Sequence, residues 1–262
     1  MTEVEILIQA LKNKEKLVAM LAPSFPIMFD YPQIITMLRK LGFSYVVEVA
    51  AGARKTNEEL KKVIEANPEK KYITTPCPTI IRMIKKQFPH LVKYFPPNVD
   101  SPMAATAKIV AEKYPGYRPV FIGPCIVKKL EASEDRPELN ILVITYAELL
   151  EIFKQFNIQP VNNPDDKFDI EESGLPRIYS IDGGLSHSGG LTLLFKKNEI
   201  KIVSNWKNCI EVLKNFENDR TVKLLDILFC DGGCIGGPGI KSDLTREERE
   251  KKILDYWEKN QR

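Results

Sequence analysis

A loop rich in glycine and cysteine constrains this chain more than any other stretch. Residues 229–239 read Phe-Cys-Asp-Gly-Gly-Cys-Ile-Gly-Gly-Pro-Gly, so Cys230 and Cys234 lie four residues apart among five glycines. Glycine tolerates positive φ and close approach of the backbone at little conformational cost. The loop therefore predicts a backbone that wraps around a bulky group held by the two thiols.

Length and composition indicate a soluble globular chain of one large domain or two smaller ones. The 262 residues are 44% hydrophobic and 28% charged. The net charge of +3 is small and its charges are interleaved, which argues against nucleic acid as the main partner. No apolar run approaches the ~20 residues of a membrane-spanning helix, and the polar N-terminus is unlike a secretory signal. We therefore expect a cytoplasmic protein with neither a nucleic acid nor a membrane as partner.

Strand-like apolar runs alternate with helical patterns along the chain. Strands are predicted at 16–21, 43–49, 71–75, 119–122, 141–145, 178–181, 200–204 and 223–229. Helices are predicted at 32–41, 56–66, 79–87, 103–113, 146–155, 206–215 and 244–260. This alternation predicts an α/β fold with two lobes of mostly parallel sheet flanked by helices. We expect a single domain over 1–262, with approximate lobes 1–117 and 118–241 and a metal site in the cleft between them.

Two glycine-containing stretches are expected to be turns. Residues 50–53 form a small-residue turn, so that the following helix begins at Thr56 with Glu58 and Glu59 in its first turn. Residues 183–190 form a second turn, whose hydroxyls, backbone N–H groups and imidazole (His187) offer a polar cluster.

Three cysteines each follow a predicted strand directly. Cys77, Cys125 and Cys230 stand at such positions, and ligands of open α/β sheets bind beyond the carboxyl ends of strands. We therefore expect these thiols, with Cys234, to lie at one edge of the structure. An odd number of cysteines in a chain of this length favours metal ligation or catalysis over a disulfide framework. Cys209, inside a predicted helix, is expected to be structural.

Four thiolates can hold zinc or a 4Fe–4S cubane. The spacings of 48, 105 and 4 residues (77→125, 125→230 and 230→234) are unlike those of a zinc ribbon. Lys128 and Lys129 follow Cys125 closely, and a lysine drawn toward thiolates would supply a counter-charge or a hydrogen-bond donor.

Three stretches, in this order, resemble the signatures of the FeFe-hydrogenase catalytic domain. They are Thr-Thr-Pro-Cys-Pro at 74–78, Gly-Pro-Cys-Ile-Val-Lys-Lys-Leu-Glu at 123–131 and Phe-Cys-Asp-Gly-Gly-Cys-Ile-Gly-Gly at 229–237. The family's signatures read roughly T-S-C-C-P, M-P-C-x-x-K-K-x-E and A-C-P-G-G-C-x-x-G-G. The resemblance spans most of the chain. It implies a two-lobed fold around an H-cluster, a 4Fe–4S cubane joined through one cysteine to a two-iron unit that carries CO, cyanide and a bridging azadithiolate.

The resemblance also implies roles for individual residues. The implied ligands of the cubane, of which Cys234 bridges to the two-iron unit, are Cys77, Cys125, Cys230 and Cys234. Lys128 would hydrogen-bond one cyanide, and Pro23 and Ser24 would contact the other. The glycines expected to lie against the cofactor are Gly189, Gly190 and Gly233.

The sequence departs from the family pattern at the position next to the first ligand. Pro76 replaces the proton-relay cysteine, and proline has no transferable proton. Gly123 and Leu228 replace methionines, and Asp231 replaces a proline. Ferredoxin-like N-terminal domains are missing, so the chain is equally consistent with a domain cut from a longer protein. These departures resemble the divergent, sensory-type members of the family.

The expected function is a reaction with H₂ and protons (2H⁺ + 2e⁻ to H₂, reversible), with slow turnover or a role in H₂ sensing. The expected partners are H₂ and protons, an electron-transfer or signalling partner, and the maturation proteins that assemble the two-iron unit. Two alternatives remain: a non-enzymatic 4Fe–4S protein without the two-iron unit, and a zinc-stabilised α/β binding protein. We predict that Pro76→Cys raises H₂ evolution, because it restores a proton donor. Without such a donor, protons would leave through His187 or Glu59.

Overall fold

The computed structural model describes residues 1–261 and contains two sheets. The strands are β1 (Leu17–Leu21), β2 (Tyr45–Glu48), β3 (Tyr72–Ile73), β4 (Arg118–Gly123), β5 (Leu142–Thr145), β6 (Ile200–Val203) and β7 (Leu224–Ile227). The first sheet has the order β2-β1-β4-β5 and the second the order β3-β7-β6. All neighbouring strands are parallel. Every residue of β1 is buried, as expected for a strand covered on both faces.

Helices flank both sheets. They are α1 (Glu3–Lys12), α2 (Gln33–Leu41), α3 (Val49–Ala66), α4 (Pro78–Gln87), α5 (Pro102–Lys113), α6 (Lys128–Leu130), α7 (Tyr146–Gln155), α8 (Gly184–Ser188), α9 (Trp206–Asn215) and α10 (Arg246–Lys259). This arrangement confirms the predicted α/β class with parallel sheets. No helix within residues 1–261 combines the length and apolarity that crossing a membrane requires.

The two sheets do not divide the chain at residue 117. The first sheet takes β1 and β2 from before that point and β4 and β5 from after it, and the second takes β3 from before and β6 and β7 from after. The predicted lobes 1–117 and 118–241 therefore do not correspond to the sheets. The chain leaves the first sheet through α3, contributes one short strand to the second sheet, and returns through α5.

Helix α3 begins seven residues earlier than predicted, at Val49 instead of Thr56. The stretch 50–53 is helical because its small residues let α3 and α5 approach closely. A Cβ on Gly52 would lie 2.1 Å from Oγ1 of Thr106 and 2.3 Å from the carbonyl oxygen of Pro102. The tertiary contact, and not the turn propensity of small residues, decides the local structure here.

Glu58 and Glu59 consequently lie in the middle of α3, and the predicted role at a helix N-terminus is wrong. Glu58 is exposed. Glu59 is half-buried and accepts a hydrogen bond at Oε2 from the backbone N–H of Asp100 (3.1 Å). Glu59 therefore helps to position the segment that leads into α5.

The predicted strand at 178–181 is not part of a sheet. Residues 175–178 form a single 3₁₀ turn that contains Pro176. Ile181 makes one isolated antiparallel bridge to Gly233. The apolar run pairs with the cysteine loop because that loop, and not a sheet edge, lies beside it. The adjacent stretch 183–190 contains the short helix α8.

A buried ion pair ties α10 to the first sheet. Nε and Nη2 of Arg177 donate to the two carboxylate oxygens of Glu48 (3.0 and 2.9 Å). The hydroxyl of Tyr256 and the backbone N–H of Glu172 also donate to Glu48 (2.8 and 2.6 Å). Nη1 of Arg177 donates to the carbonyl oxygen of Asn260 (2.6 Å). The end of β2, the 171–177 segment and α10 therefore form one saturated polar cluster.

Candidate metal centre

Four cysteines converge from strand ends of both sheets. Cys77 follows β3 and is the residue before α4, and Cys125 follows β4. Cys230 follows β7, and Cys234 begins a 3₁₀ turn four residues later. Because Cys125 comes from the first sheet and the others from the second, the four thiols meet between the sheets and not along one sheet edge.

The four cysteines line one small cavity, the cysteine cavity, which spans roughly 290 Å³ including solvent at its mouth. Its lining residues are Cys77, Thr79, Pro124, Cys125, Leu228, Phe229, Cys230, Gly233, Cys234 and Gly237. Within residues 1–261, no three His, Cys, Asp or Glu side chains are placed to hold a single metal ion. The four thiols border one common volume, and four thiolates can hold a 4Fe–4S cluster or zinc.

A second, larger cavity, the inner cavity, adjoins the first and spans roughly 540 Å³ including solvent at its mouth. It is lined by Ala22, Pro23, Ser24, Val49, Pro76, Pro102, Met103, Phe121, Pro124, Cys125, Lys128, Tyr179, Ser180, Leu228 and Cys234. The two cavities share Pro124, Cys125, Leu228 and Cys234. A group in the inner cavity would therefore lie directly beside two of the four thiols.

The glycines of the cysteine loop are required by its backbone. Gly232 and Gly233 have φ angles of +71° and +88°, which residues other than glycine rarely adopt. A Cβ on Gly233 would lie 2.7 Å from the carbonyl oxygen of Ser180. That same oxygen accepts the backbone N–H of Cys234 (2.8 Å). The loop is thus pinned against residue 180, with Cys234 facing both cavities.

The surroundings of Cys125, Cys230 and Cys234 raise the pKa values of these thiols and so favour their protonated forms. Burial raises the pKa of Cys125, and the neighbouring Cys77 adds to this shift. Burial, followed by the charges of Cys77 and Cys125, raises the pKa of Cys230 to about 12. The same causes raise the pKa of Cys234 well above its ordinary value. Metal ions reverse this preference, because a coordinated thiol is deprotonated.

Cys209 lies outside the cysteine cavity. It is fully buried on α9, and its thiol donates to the carbonyl oxygen of Leu228 (3.3 Å). Burial raises the pKa of Cys209 to about 12. Its environment is that of a packed structural thiol.

Lys128 lies on the wall of the inner cavity and is itself buried. Its Nζ donates to Oε2 of Glu131 (2.5 Å) and to the carbonyl oxygen of Pro76 (3.3 Å). Oε1 of Glu131 accepts a hydrogen bond from the hydroxyl of Ser101. An ammonium has three donors, so these two bonds hold the amine at the cavity wall and leave one N–H for a bound anion.

Pro23 and Ser24 line the inner cavity, and the Ser24 hydroxyl is hydrogen-bonded to the Tyr146 hydroxyl. The Tyr146 hydroxyl donates to the carbonyl oxygen of Ala22 (3.0 Å), so the Ser24 hydroxyl donates to Tyr146 (2.9 Å). Burial raises the pKa of Tyr146, which keeps its hydroxyl a neutral donor. The Ser24 proton is therefore engaged within the protein.

Two predicted cofactor contacts lie elsewhere. Gly189 and Gly190 line neither cavity, and the wall expected from them is formed by Tyr179 and Ser180. The hydroxyls of both these residues are buried and have no hydrogen-bond partner among residues 1–261. Such orphaned hydroxyls on a cavity wall fit a site that takes a polar group. In the sequence, the residues that could have indicated this wall are the Tyr-Ser pair at 179–180, shortly before the Gly-Gly dipeptide at 183–184.

The two weaker proton-transfer candidates are also outside the cavities. His187 is exposed on α8, and Glu59 is engaged with the backbone of Asp100. Neither lines the cysteine cavity or the inner cavity. Pro76, by contrast, lines the inner cavity, and Gly233 lines the cysteine cavity.

Curated relatives include hydrogenase and iron–sulfur assembly proteins. The NADP-reducing hydrogenase subunit HndD of Solidesulfovibrio fructosivorans is 26% identical over 77% of this chain and 44% of its own length. The probable cytosolic Fe-S cluster assembly factor oxy-4 of Caenorhabditis elegans is 22% identical over 84% of this chain and 60% of its own length. The chain thus spans about half the length of the curated relatives it matches.

Solved structures share the fold. A variant of the [FeFe]-hydrogenase HydA1 from Chlamydomonas reinhardtii superposes with a TM-score of 0.74 at 18% identity, covering 97% of this chain and 88% of that one. The structure of HydA(deltaEFG), described for stepwise H-cluster assembly, gives a TM-score of 0.74 at 20% identity, with 100% and 91% coverage.

The family model matches nearly the whole described chain. It covers residues 15–238, a range that includes all four cysteines of the cysteine cavity and Lys128. The chain therefore belongs to the family described as iron only hydrogenase large subunit, C-terminal domain.

Proposed function

We propose that this domain holds an H-cluster. The cysteine cavity would take the 4Fe–4S cubane on its four thiols, and the inner cavity would take the two-iron unit. The observation that carries the proposal is the pair of adjoining cavities that share Cys125 and Cys234. A residue that faces both chambers can ligate a metal in each, and we assign this bridging role to Cys234.

The proposed reaction is the reversible combination of protons and electrons to H₂, at low turnover or as a means of sensing H₂. When bound, the two-iron unit would supply the centre at which protons and electrons combine. Two of the three N–H groups of Lys128 Nζ donate to protein acceptors, and the third would orient the two-iron unit. The largely apolar wall, which includes Val49, Met103 and Phe121, would exclude bulk water.

Slow turnover follows from the wall beside Cys77. Pro76 lies against the inner cavity and carries neither an N–H nor a titratable side chain. General acid–base catalysis contributes roughly 10²–10⁴-fold to enzymatic rates. Loss of a donor at this position therefore supports a slow enzyme or a sensor. The reaction would require an electron-transfer or signalling partner, and maturation proteins that supply the two-iron unit in the cytoplasm.

A non-enzymatic 4Fe–4S protein is the second candidate. The missing donor at Pro76 and the similarity to proteins named as Fe-S cluster assembly factors favour it. In that case the cysteine cavity would be filled and the inner cavity would receive no metal. A zinc protein is the third candidate.

Infrared spectroscopy of reconstituted protein separates these candidates. The full chain is reconstituted with iron and sulfide and then treated with a synthetic two-iron precursor. We expect sharp CO and cyanide bands that shift under H₂. Cubane signals without those bands would support the second candidate, and a colourless protein that contains zinc would contradict both.

Two matched cysteine variants sharpen the experiment. Cys234→Ser is expected to abolish the CO and cyanide bands, because it removes the proposed bridging ligand. Cys209→Ser is the control, since its thiol lies outside both cavities, and it should retain iron content and bands. Full retention of the bands in Cys234→Ser would exclude Cys234 as the bridge.

A further inference from the structure

A third cavity, the outer cleft, lies behind the wall of the inner cavity. It spans roughly 1140 Å³, a volume that includes solvent at its mouth, and its polar lining includes Thr75, Ser101, Glu131, Glu134, Asp135 and Arg136. It shares no lining residue with the inner cavity, but its residues are sequence neighbours of residues there. The wall between the two spaces is therefore thin.

The wall consists of three short segments. In two of them, 75–76 and 101–102, a hydroxyl residue lines the outer cleft and a proline lines the inner cavity. Neither proline can carry a proton. In the third, Lys128 lines the inner cavity and Glu131 lines the outer cleft, and a hydrogen bond of 2.5 Å joins them.

Glu131 differs from the neighbouring acids in its partner, because its ion pair reaches Lys128 on the wall of the inner cavity. The other two acids of the cleft, Glu134 and Asp135, pair with Arg82 (2.8 and 3.0 Å), and Asp100, which does not line the cleft, pairs with Arg136 (2.9 Å). Glu131 accepts from Lys128 on one oxygen and from the Ser101 hydroxyl on the other. It also begins a π-helical turn, 131–135, a distortion that is frequent at functional sites.

We propose that Glu131 transfers protons between the outer cleft and the inner cavity and thereby replaces a route through residue 76. A Glu131 oxygen takes a proton from water in the cleft. Oε2 then passes a proton to Nζ of Lys128 while Nζ releases another on the cavity side. Lys128 is an ammonium before and after the step, and Glu131 returns to the carboxylate, so one proton crosses the wall. This role rests on the proposed function in one respect: the group that accepts the proton in the inner cavity would be the proposed two-iron unit.

The test is an infrared difference spectrum recorded on reduction of the iron–sulfur cluster in reconstituted full-length protein. We expect a carboxyl band that shifts in D₂O, because added negative charge in the site draws a proton onto Glu131. Glu131→Gln should lack this band. Glu131→Asp, which keeps a carboxyl group if the glutamine variant folds poorly, should retain it at a shifted frequency.

Two control variants test the alternatives. Glu59→Gln removes the carboxylate outside the cavities, and Glu134→Gln removes one on the cleft but away from Lys128. Both should keep the band. Absence of the band from the unmodified protein, its persistence in Glu131→Gln, or its loss in Glu59→Gln would each overturn the proposal.

Turnover of protein loaded with the two-iron unit gives the second readout. Glu131→Gln should lower H₂ turnover about 100-fold with unchanged CO and cyanide bands, and both controls should stay close to the unmodified rate. Unchanged turnover in Glu131→Gln would overturn the proposed transfer. Loaded protein that shows CO and cyanide bands but no reaction with H₂ would contradict the proposed function alone, because the carboxyl band still decides the role of Glu131.

Discussion

Two buried ion pairs in this molecule share their chemistry but differ in their surroundings. Arg177 and Glu48 are surrounded by protein donors and acceptors, and the pair joins the first sheet to α10. Lys128 and Glu131 have the inner cavity on one side and the outer cleft on the other. A buried pair with every partner supplied by protein holds structure together, whereas a pair between two cavities can act on what enters them.

The largest effect is expected from Arg177→Met. Removal of the guanidinium leaves the Glu48 carboxylate buried and uncompensated, which typically costs 3–5 kcal/mol. We expect the free energy of unfolding to fall by about 4 kcal/mol and Tm to fall by about 10 °C. Chemical denaturation and calorimetry would measure both values.

The matched control adds Glu48→Gln to Arg177→Met. The double variant should recover part of the lost stability, because it no longer buries an unpaired charge. A single variant with unchanged Tm would show that this pair does not hold α10 in place.

Lys128→Met is expected to cost less, about 2 kcal/mol, than the arginine substitution. Water in the outer cleft can reach the Glu131 carboxylate once its partner is removed, so the charge is not stranded. The double variant with Glu131→Gln should regain most of that loss in chemical denaturation. If Lys128→Met and Arg177→Met lowered the free energy of unfolding equally, the surroundings of the two ion pairs would not differ in the way proposed.

Pro76→Cys tests the same wall from the other side. The thiol would lie on the inner cavity, where Pro76 now lines it, and would supply the donor that proline lacks. We expect H₂ evolution by the loaded protein to rise roughly tenfold, which corresponds to about 1.4 kcal/mol. Gas chromatography of evolved H₂ measures this rise, and Pro76→Ala, which adds no thiol, is the control.

A rise in Pro76→Cys that survives Glu131→Gln would show that the new thiol opens an independent route. No rise in Pro76→Cys would mean that proton supply through residue 76 does not limit turnover.

The smallest effect is expected at the half-buried pair of Lys129 and Glu148. Burial alone would raise the pKa of Glu148, but Lys129 and the Thr145 N–H and hydroxyl outweigh it and lower the pKa. Folding therefore favours the carboxylate, and its contribution is complete above the usual pKa of 4.5 and disappears as the pH falls through the lowered value. Glu148→Gln should cost less than about 1 kcal/mol at pH 7.

The same substitution should make little difference at low pH. Thermal unfolding of Glu148→Gln and the unmodified protein at pH 7 and at pH 3 would measure the change. A gap in Tm that widens on acidification would contradict the predicted sign.

The positions of three of the proposed ligands could be predicted from the sequence because they depend on local order along the chain. Cys77, Cys125 and Cys230 follow strands, and the carboxyl ends of parallel strands carry sites wherever the sheets lie. The order of strands within the sheets could not be predicted, since β3 joins β7 across about 150 residues. The predicted boundary near residue 117 failed for that reason.

The predicted site residues that lie outside both cavities follow from local sequence patterns, which do not show what packs beside each residue. Gly189 and Gly190 satisfied a glycine pattern, but packing puts Tyr179 and Ser180 on the cavity wall. Glu59 is predicted as a route for protons, but in the structure its carboxylate accepts the backbone N–H of Asp100.

The sequence by itself determined the set of cysteines, the glycine-rich loop that carries two of them, and a proline at residue 76, which has no proton to donate. These follow from residue chemistry and from the alternation of strands and helices. Only the tertiary structure decided that Cys234 borders two cavities and that Glu131 spans a thin wall behind one of them. Both facts depend on where two sheets meet, and that meeting is governed by long-range packing which no local stretch of sequence contains.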